Sequence, residues 1–177
     1  ALQTTFPVNM VALVENTPQT LGLKTILEEY IKHRHDDVRR RSEFELKEAR
    51  AREHILEGLK IAVDHIDEVI AIIKRSKDAD EAKQKLMAKF GLTDIQTTAI
   101  LDMQLRRLAA LERQKIEDEL AMIRETISYL EDLLAHPEKI LKVVKEELLK
   151  LKEKYGDERK TKVYKSKVGE FSEEQLI

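Results

Sequence analysis

Apolar residues change their spacing several times along this chain, and each change marks an element. Val8, Met10, Ala12 and Val14 alternate with other residues at period two, and Glu15-Asn16-Thr17-Pro18-Gln19 follows with turn chemistry. This predicts a short β-hairpin, Met10–Val14 pairing with about Gln19–Leu21. Between Lys24 and Arg75 there is no proline and a single glycine, Gly58. That stretch reads as one long helix, about 75 Å at 1.5 Å per residue. In its second half Ile55, Leu59, Ala62, Ile66, Val69 and Ile73 repeat at alternating spacings of about three and four, the seam of a coiled coil. The first half is sparser, with Val38, Phe44 and Leu46 among charges; Glu28/Lys32, Glu43/Lys47 and Glu48/Arg52 are placed to pair one turn apart.

A second seam runs through Ile116, Leu120, Ile123, Ile127, Leu130 and Leu134. Pro137 interrupts it and suits the first position of a new helix. Leu141, Val144, Leu148, Leu151 and Tyr155 continue to Gly156, a helix stop. The returning stretch, about Glu112–Tyr155, would span about 65 Å. Two helical stretches of similar length with complementary seams predict an antiparallel coiled-coil hairpin.

Between the seams, residues 76–111 read as two short helices. Asp78 with Glu81, and Thr93 with Gln96, have capping-box spacing, and Gly91 separates the two. The second, about Asp94–Leu108, carries two apolar stripes: Ile95, Ala99 and Met103 on one side, Leu101, Leu105 and Leu108 on another. A short helix at the end of a thin hairpin cannot easily bury both within its own chain. This predicts an intermolecular contact, a homodimer formed through Ile95, Ala99 and Met103. The fold class is therefore mainly α: a long antiparallel coiled-coil hairpin, a small helical dimerisation domain at its tip, and a short β-hairpin at the N-terminus. The divisions are 1–23, 24–75, 76–111, 112–155 and a linker at 156–177 leading toward a further domain. The N-terminal hairpin is expected to join a sheet whose other strands precede this stretch.

Composition narrows the function. The 177 residues are 37% charged and 5% aromatic, with 5 Gly, 3 Pro and no Trp, which argues against a sandwich or barrel. The 32 basic and 34 acidic residues leave a net charge of -2, so polyanion binding would need a local patch. The best candidate is Arg39-Arg40-Arg41 with Lys32, Arg34, Arg50 and Arg52. Asp36, Asp37, Glu43, Glu45, Glu48 and Glu53 share the same stretch and neutralise most of it. The absence of cysteine excludes disulfides and thiolate sites. The longest apolar runs, Met10–Val14 and Val69–Ile73, are 5 residues each, too short for a membrane helix. His33 and His35 face opposite sides of a helix, and His54 and His65 lie about 16 Å apart along one, so neither pair shares a metal. No glycine-rich phosphate loop or nucleophile elbow is present.

Separate blocks then carry a resemblance. They are Gln3-Thr4-Thr5-Phe6 with Asn9-Met10, Ile26–Ile31, Arg40–Leu46, Ala51–Leu59, Ala99–Leu108, Leu111–Ile116 and Lys154–Thr161. Together, over about residues 1–162, the chain resembles the A subunit family of DNA gyrase. The A subunit of bacterial topoisomerase IV is similar, with gyrase the closer match. The resemblance implies a piece of a type IIA topoisomerase: the coiled-coil arm and the helical end that meets its copy across a dyad as the exit gate for transported DNA. It implies a bacterial, cytoplasmic parent that breaks and rejoins duplex DNA through paired tyrosines. The parent uses Mg2+, with ATP hydrolysis on the gyrase B subunit, and adds negative supercoils. The nucleophilic tyrosine of that family follows an arginine among small residues; Tyr30, Tyr129, Tyr155 and Tyr164 lack this setting. The fragment alone is thus expected to be inactive and to hold no cofactor. A coiled-coil scaffold, or a nucleic-acid-binding helical arm without a topoisomerase parent, is the alternative.

Overall fold

A computed structural model describes residues 6–103 and 110–162. The element order is β1 (Val11–Val14), β2 (Thr17–Thr20), α1 (Leu23–Asp64), α2 (Ile66–Arg75), α3 (Ala79–Phe90), α4 (Asp94–Leu101), α5 (Ala110–Ala135) and α6 (Pro137–Tyr155). The mainly helical class and the N-terminal hairpin are borne out. The chain divides into two compact units, residues 1–144 and 145–177. In the second, the last turns of α6 leave Leu149, Leu151 and Tyr155 exposed, and the Gly156 N–H bonds the Lys152 carbonyl at 2.7 Å.

The hairpin is tighter than its composition predicts. β2 begins at Thr17, so only Glu15 and Asn16 form the loop, with φ of 48° and 62°. Two consecutive positive φ values make the turn whose twist matches paired strands. Antiparallel register pairs Val11 with Thr20 and Leu13 with Pro18. Proline is tolerated because each strand of a two-stranded sheet has a free edge.

The long outgoing helix is shorter than its pattern predicts. α1 stops at Asp64, and His65 leaves helical geometry at φ -118°, ψ 36°. The break lets α2 turn onto α3, and the His65 ring stacks on Phe90 of α3 with centroids 5.5 Å apart. Ile66, Val69 and Ile73 therefore do not extend the α1 seam. Val69 is buried in the tip core beside Leu86, Ile66 is half-buried and Ile73 is exposed.

The seam itself follows a stricter period than the large apolar residues reveal. Ser42, Ala49, Leu56 and Val63 are all buried on α1, each seven residues after the last. Val38 and Leu59 fill further seam positions, Ile55 is only half-buried and Phe44 is exposed. On α5, Leu120, Ile127, Leu130 and Leu133 are buried. Leu133 takes the place assigned to Leu134, while Ile116 and Ile123 pack half-buried against the core. α1 and α5 form the largest helix-to-helix contact. Their flanks are laced by Arg50–Glu131 (2.6 Å), Arg52–Glu119 (2.7 Å), Arg124–Glu53 (2.9 Å), Arg124–Glu57 (2.7 Å) and Arg113–Asp64. From Arg50–Glu131 at one end to Asp64–Arg113 at the other, residue numbers fall on α5 while they rise on α1, as an antiparallel pair requires. The Arg52 pair predicted within the helix, with Glu48, is replaced by this reach across to Glu119.

Candidate functional site

The tip grows from cap chemistry. Asp78 accepts the Glu81 N–H at 2.8 Å to start α3, and the Glu81 carboxylate accepts the Lys77 N–H at 2.6 Å. That backbone bond, with Lys85 adding to it, holds the Glu81 carboxyl below its ordinary value. Gly91 ends α3 in the left-handed region at φ 65°, where a side chain would be strained. Thr93 then opens α4 with a reciprocal box: its Oγ1 accepts from the Gln96 N–H, and its own N–H donates to Gln96 Oε1 at 2.9 Å. Both short helices thus start where their capping residues predict.

Charges tie the three short helices together. Lys83 meets Asp94 at 2.6 Å, joining α3 to α4. Glu68 of α2 pairs with Lys89 of α3, whose ammonium also lies over the Phe90 ring, 5.6 Å from its centroid. Lys89 first, and His65 last, pull the Glu68 carboxyl below its ordinary value. Beneath them Leu56, Leu59, Ala62, Val69, Leu86, Leu92, Ile100 and Leu120 form one buried cluster drawn from α1, α2, α3, α4 and α5.

The predicted dimer stripe does not share one open face. Ile95 is 60% exposed, whereas Ala99 and Met103 pack half-buried against the cluster. α4 also stops at Leu101, where Asp102 and Met103 close a turn by N–H bonds to Thr98 and Ile100. The helix is therefore shorter than Asp94–Leu108. Leu101 packs on the core, and Leu105, Leu108, Arg106 and Arg107 lie outside the described residues.

Sequence reading passed over the contact that seats α4. Gln96 is 6% exposed, and its Nε2 donates to the His54 carbonyl of α1 at 2.7 Å. Gly58, one turn on, leaves the notch: a Cβ there would lie 2.7 Å from Gln96 Cβ and Cγ. The lone glycine of the long helix and the capping-box glutamine were the visible signals, but nothing in their spacing linked them. Beside this contact a cleft of about 410 Å³ opens among His54, Glu57, Thr93, Gln96, Leu120 and Arg124.

The basic run lies on α1, away from the tip core. Arg39 bonds Glu43 at 2.9 Å and Asp36 at 3.5 Å, with Glu43 the main cause of its raised pKa. Arg34 meets Asp37 at 2.6 Å, and Lys32 meets Glu15 at 3.3 Å. Arg40 and Arg41 are exposed. Among the described residues no group of three His, Asp or Glu is placed to hold a metal, and no helix is long and apolar enough to cross a membrane.

Residues 1–149 match the family of DNA gyrase and topoisomerase IV A subunits. The DNA gyrase A subunit of Dehalogenimonas lykanthroporepellens is 55% identical over 99% of this chain and 22% of its own length. The same-named protein of Clostridium acetobutylicum is 57% identical over 92% of this chain and 20% of its own length. That of Halalkalibacterium halodurans is 51% identical over 100% of this chain and 21% of its own length. The chain spans about a fifth of the length of these relatives. A family match over residues 1–149 and identity of this extent make the chain a member of the family formed by the A subunits of DNA gyrase and topoisomerase IV.

Proposed function

We propose that this chain is the arm and exit gate of a DNA gyrase A subunit. Its work is mechanical: α1 and α5 form a lever, and the tip binds a second copy reversibly while transported duplex DNA leaves between the arms. The whole protein, with the gyrase B subunit, would break, pass and rejoin duplex DNA in the bacterial cytoplasm, using ATP and Mg2+ and adding negative supercoils.

One observation supports the gate: Ile95, a large apolar side chain 60% exposed, sits on a helix whose next residues Gln96 and Thr97 are buried. Because its neighbours hold the helix in place, Ile95 would meet a partner in one orientation. Apolar contact of moderate area, at about 25 cal/mol per Å², less the cost of association, suits a contact that must open in each cycle. Ile95→Asp is expected to shift the chain from dimer to monomer in sedimentation experiments at micromolar concentration. A variant that stays fully dimeric on dilution would remove Ile95 from the interface. The paired arginines of α1 weigh against a nucleic-acid arm, because phosphate contacts need unneutralised charge. Tight duplex binding by this chain with a steep salt dependence would favour that alternative.

A further inference from the structure

We propose that Gln96 is a positioning residue that locks the tip helix α4 to the lever helix α1, so that the gate face and the arm move as one body. The proposal rests on the gate reading for its function, but the lock itself is a matter of geometry within one chain. Two bonds reach His54 of α1, and a third, within the α4 cap, braces the groups that make them. Gln96 Nε2 donates to the His54 carbonyl at 2.7 Å, Gln96 Oε1 accepts the Thr93 N–H at 2.9 Å, and Thr93 Oγ1 lies 2.7 Å from His54 Nε2. A helical carbonyl has a second lone pair free for such a bond.

Gly58 makes the approach possible. Any Cβ at that position would strike the Gln96 side chain at 2.7 Å, so the glutamine stem fills a notch that only glycine leaves open. Apolar packing alone tolerates sliding by a fraction of a turn. Directional hydrogen bonds into a one-residue notch admit one register. Successive residues on a helix are turned by about 100°, so with Gln96 facing α1, Ile95 points to one side of that contact, where it is 60% exposed. The amide that seats the helix thereby aims the apolar residue assigned to the gate. Tilting the arm then carries the gate face with it, and the intermolecular contact parts before α4 peels from its own chain.

The chain has no cysteine, so introduced pairs are unique labelling sites. Thr98→Cys on α4 and Met122→Cys on α5, both at exposed positions, would carry spin labels for distance measurement by pulsed electron paramagnetic resonance. Spin-labelled chain is diluted with unlabelled chain so that distances within one copy dominate. Gln96→Met keeps the length of the stem and removes both amide bonds, and Gln96→Ala removes the stem as well. Both variants are expected to broaden the distance distribution and to raise the dimer dissociation constant about fivefold, less than two lost hydrogen bonds would give in full, because both bonds lie within one chain and only part of their worth reaches the interface. A folded Gln96→Met variant with an unchanged distribution and dissociation constant would overturn the lock. If Gln96→Met does not fold, by circular dichroism, the role is structural and the proposal also falls. If the parent chain never dimerises, the gate reading fails while the distance distribution still decides whether Gln96 holds α4 to α1.

Discussion

The lever and the tip are held together in different ways. Along α1 and α5, one residue type after another repeats a single theme: a small or aliphatic side chain inward every seven residues, with ion pairs such as Arg50–Glu131 and Arg124–Glu53 on the flanks. The tip has no such repeat. Its helices of 10, 12 and 8 residues are too short to be stable alone, and they depend on caps, a shared apolar cluster and the Gln96 bond to α1. A repetitive seam spreads its stability over many similar layers, so one exposed pair can be lost at little cost. The tip concentrates its specificity in a few residues that have no substitute, which suits a part that must present one surface in one orientation.

That contrast can be broken most forcefully where the two regions join. Leu56 is 1% exposed and belongs to the cluster shared by lever and tip. Leu56→Ala is expected to cost about 2–5 kcal/mol in denaturant unfolding, with both regions melting together. Gly58→Ala is expected to cost about 1–3 kcal/mol by overpacking against Gln96, and to be felt mainly at the tip. Hydrogen exchange would report faster opening in α4 with α5 little changed; equal acceleration in both helices would mean that the seat of α4 is not separable from the seam.

Thr93→Ala removes the N-cap of α4 and is expected to cost about 1 kcal/mol in thermal unfolding. No loss would show that Gln96 alone starts the helix. The smallest effect concerns pH. The Glu68 carboxyl is depressed when folded, chiefly by Lys89, so its contribution is present above the unfolded carboxylate value and fades as pH falls through the lower folded value. The melting temperature should therefore fall as pH drops through about 4 and below, and Glu68→Gln should flatten that fall. Both partners are half-exposed, so salt is expected to weaken the effect.

Much of this was legible in the residues because it depends on local chemistry. Pro137 opens α6, Gly91 ends α3, and Asp78 and Thr93 cap where their side chains reach the next free N–H groups. The seam of α5 was visible because Leu120, Ile127 and Leu130 are large and apolar. The seam of α1 was only half visible, because Ser42 and Ala49 are inward by position and not by hydrophobicity. The break at His65 left no composition signal at all: no proline or glycine marks it, and beyond it α2 packs on α3.

The sequence by itself therefore determined the helical class, the order of elements, most of their ends and the family, since propensities, caps and seven-residue repeats act between near neighbours. Only the tertiary structure decided that α1 bends away at His65, that Ala99 and Met103 turn inward while Ile95 stays in water, and that Gln96 finds Gly58 across 38 positions of chain. Those outcomes hinge on which surfaces meet at a distance, where shape and directional hydrogen bonds select one docking among several that a hydrophobic pattern would allow equally.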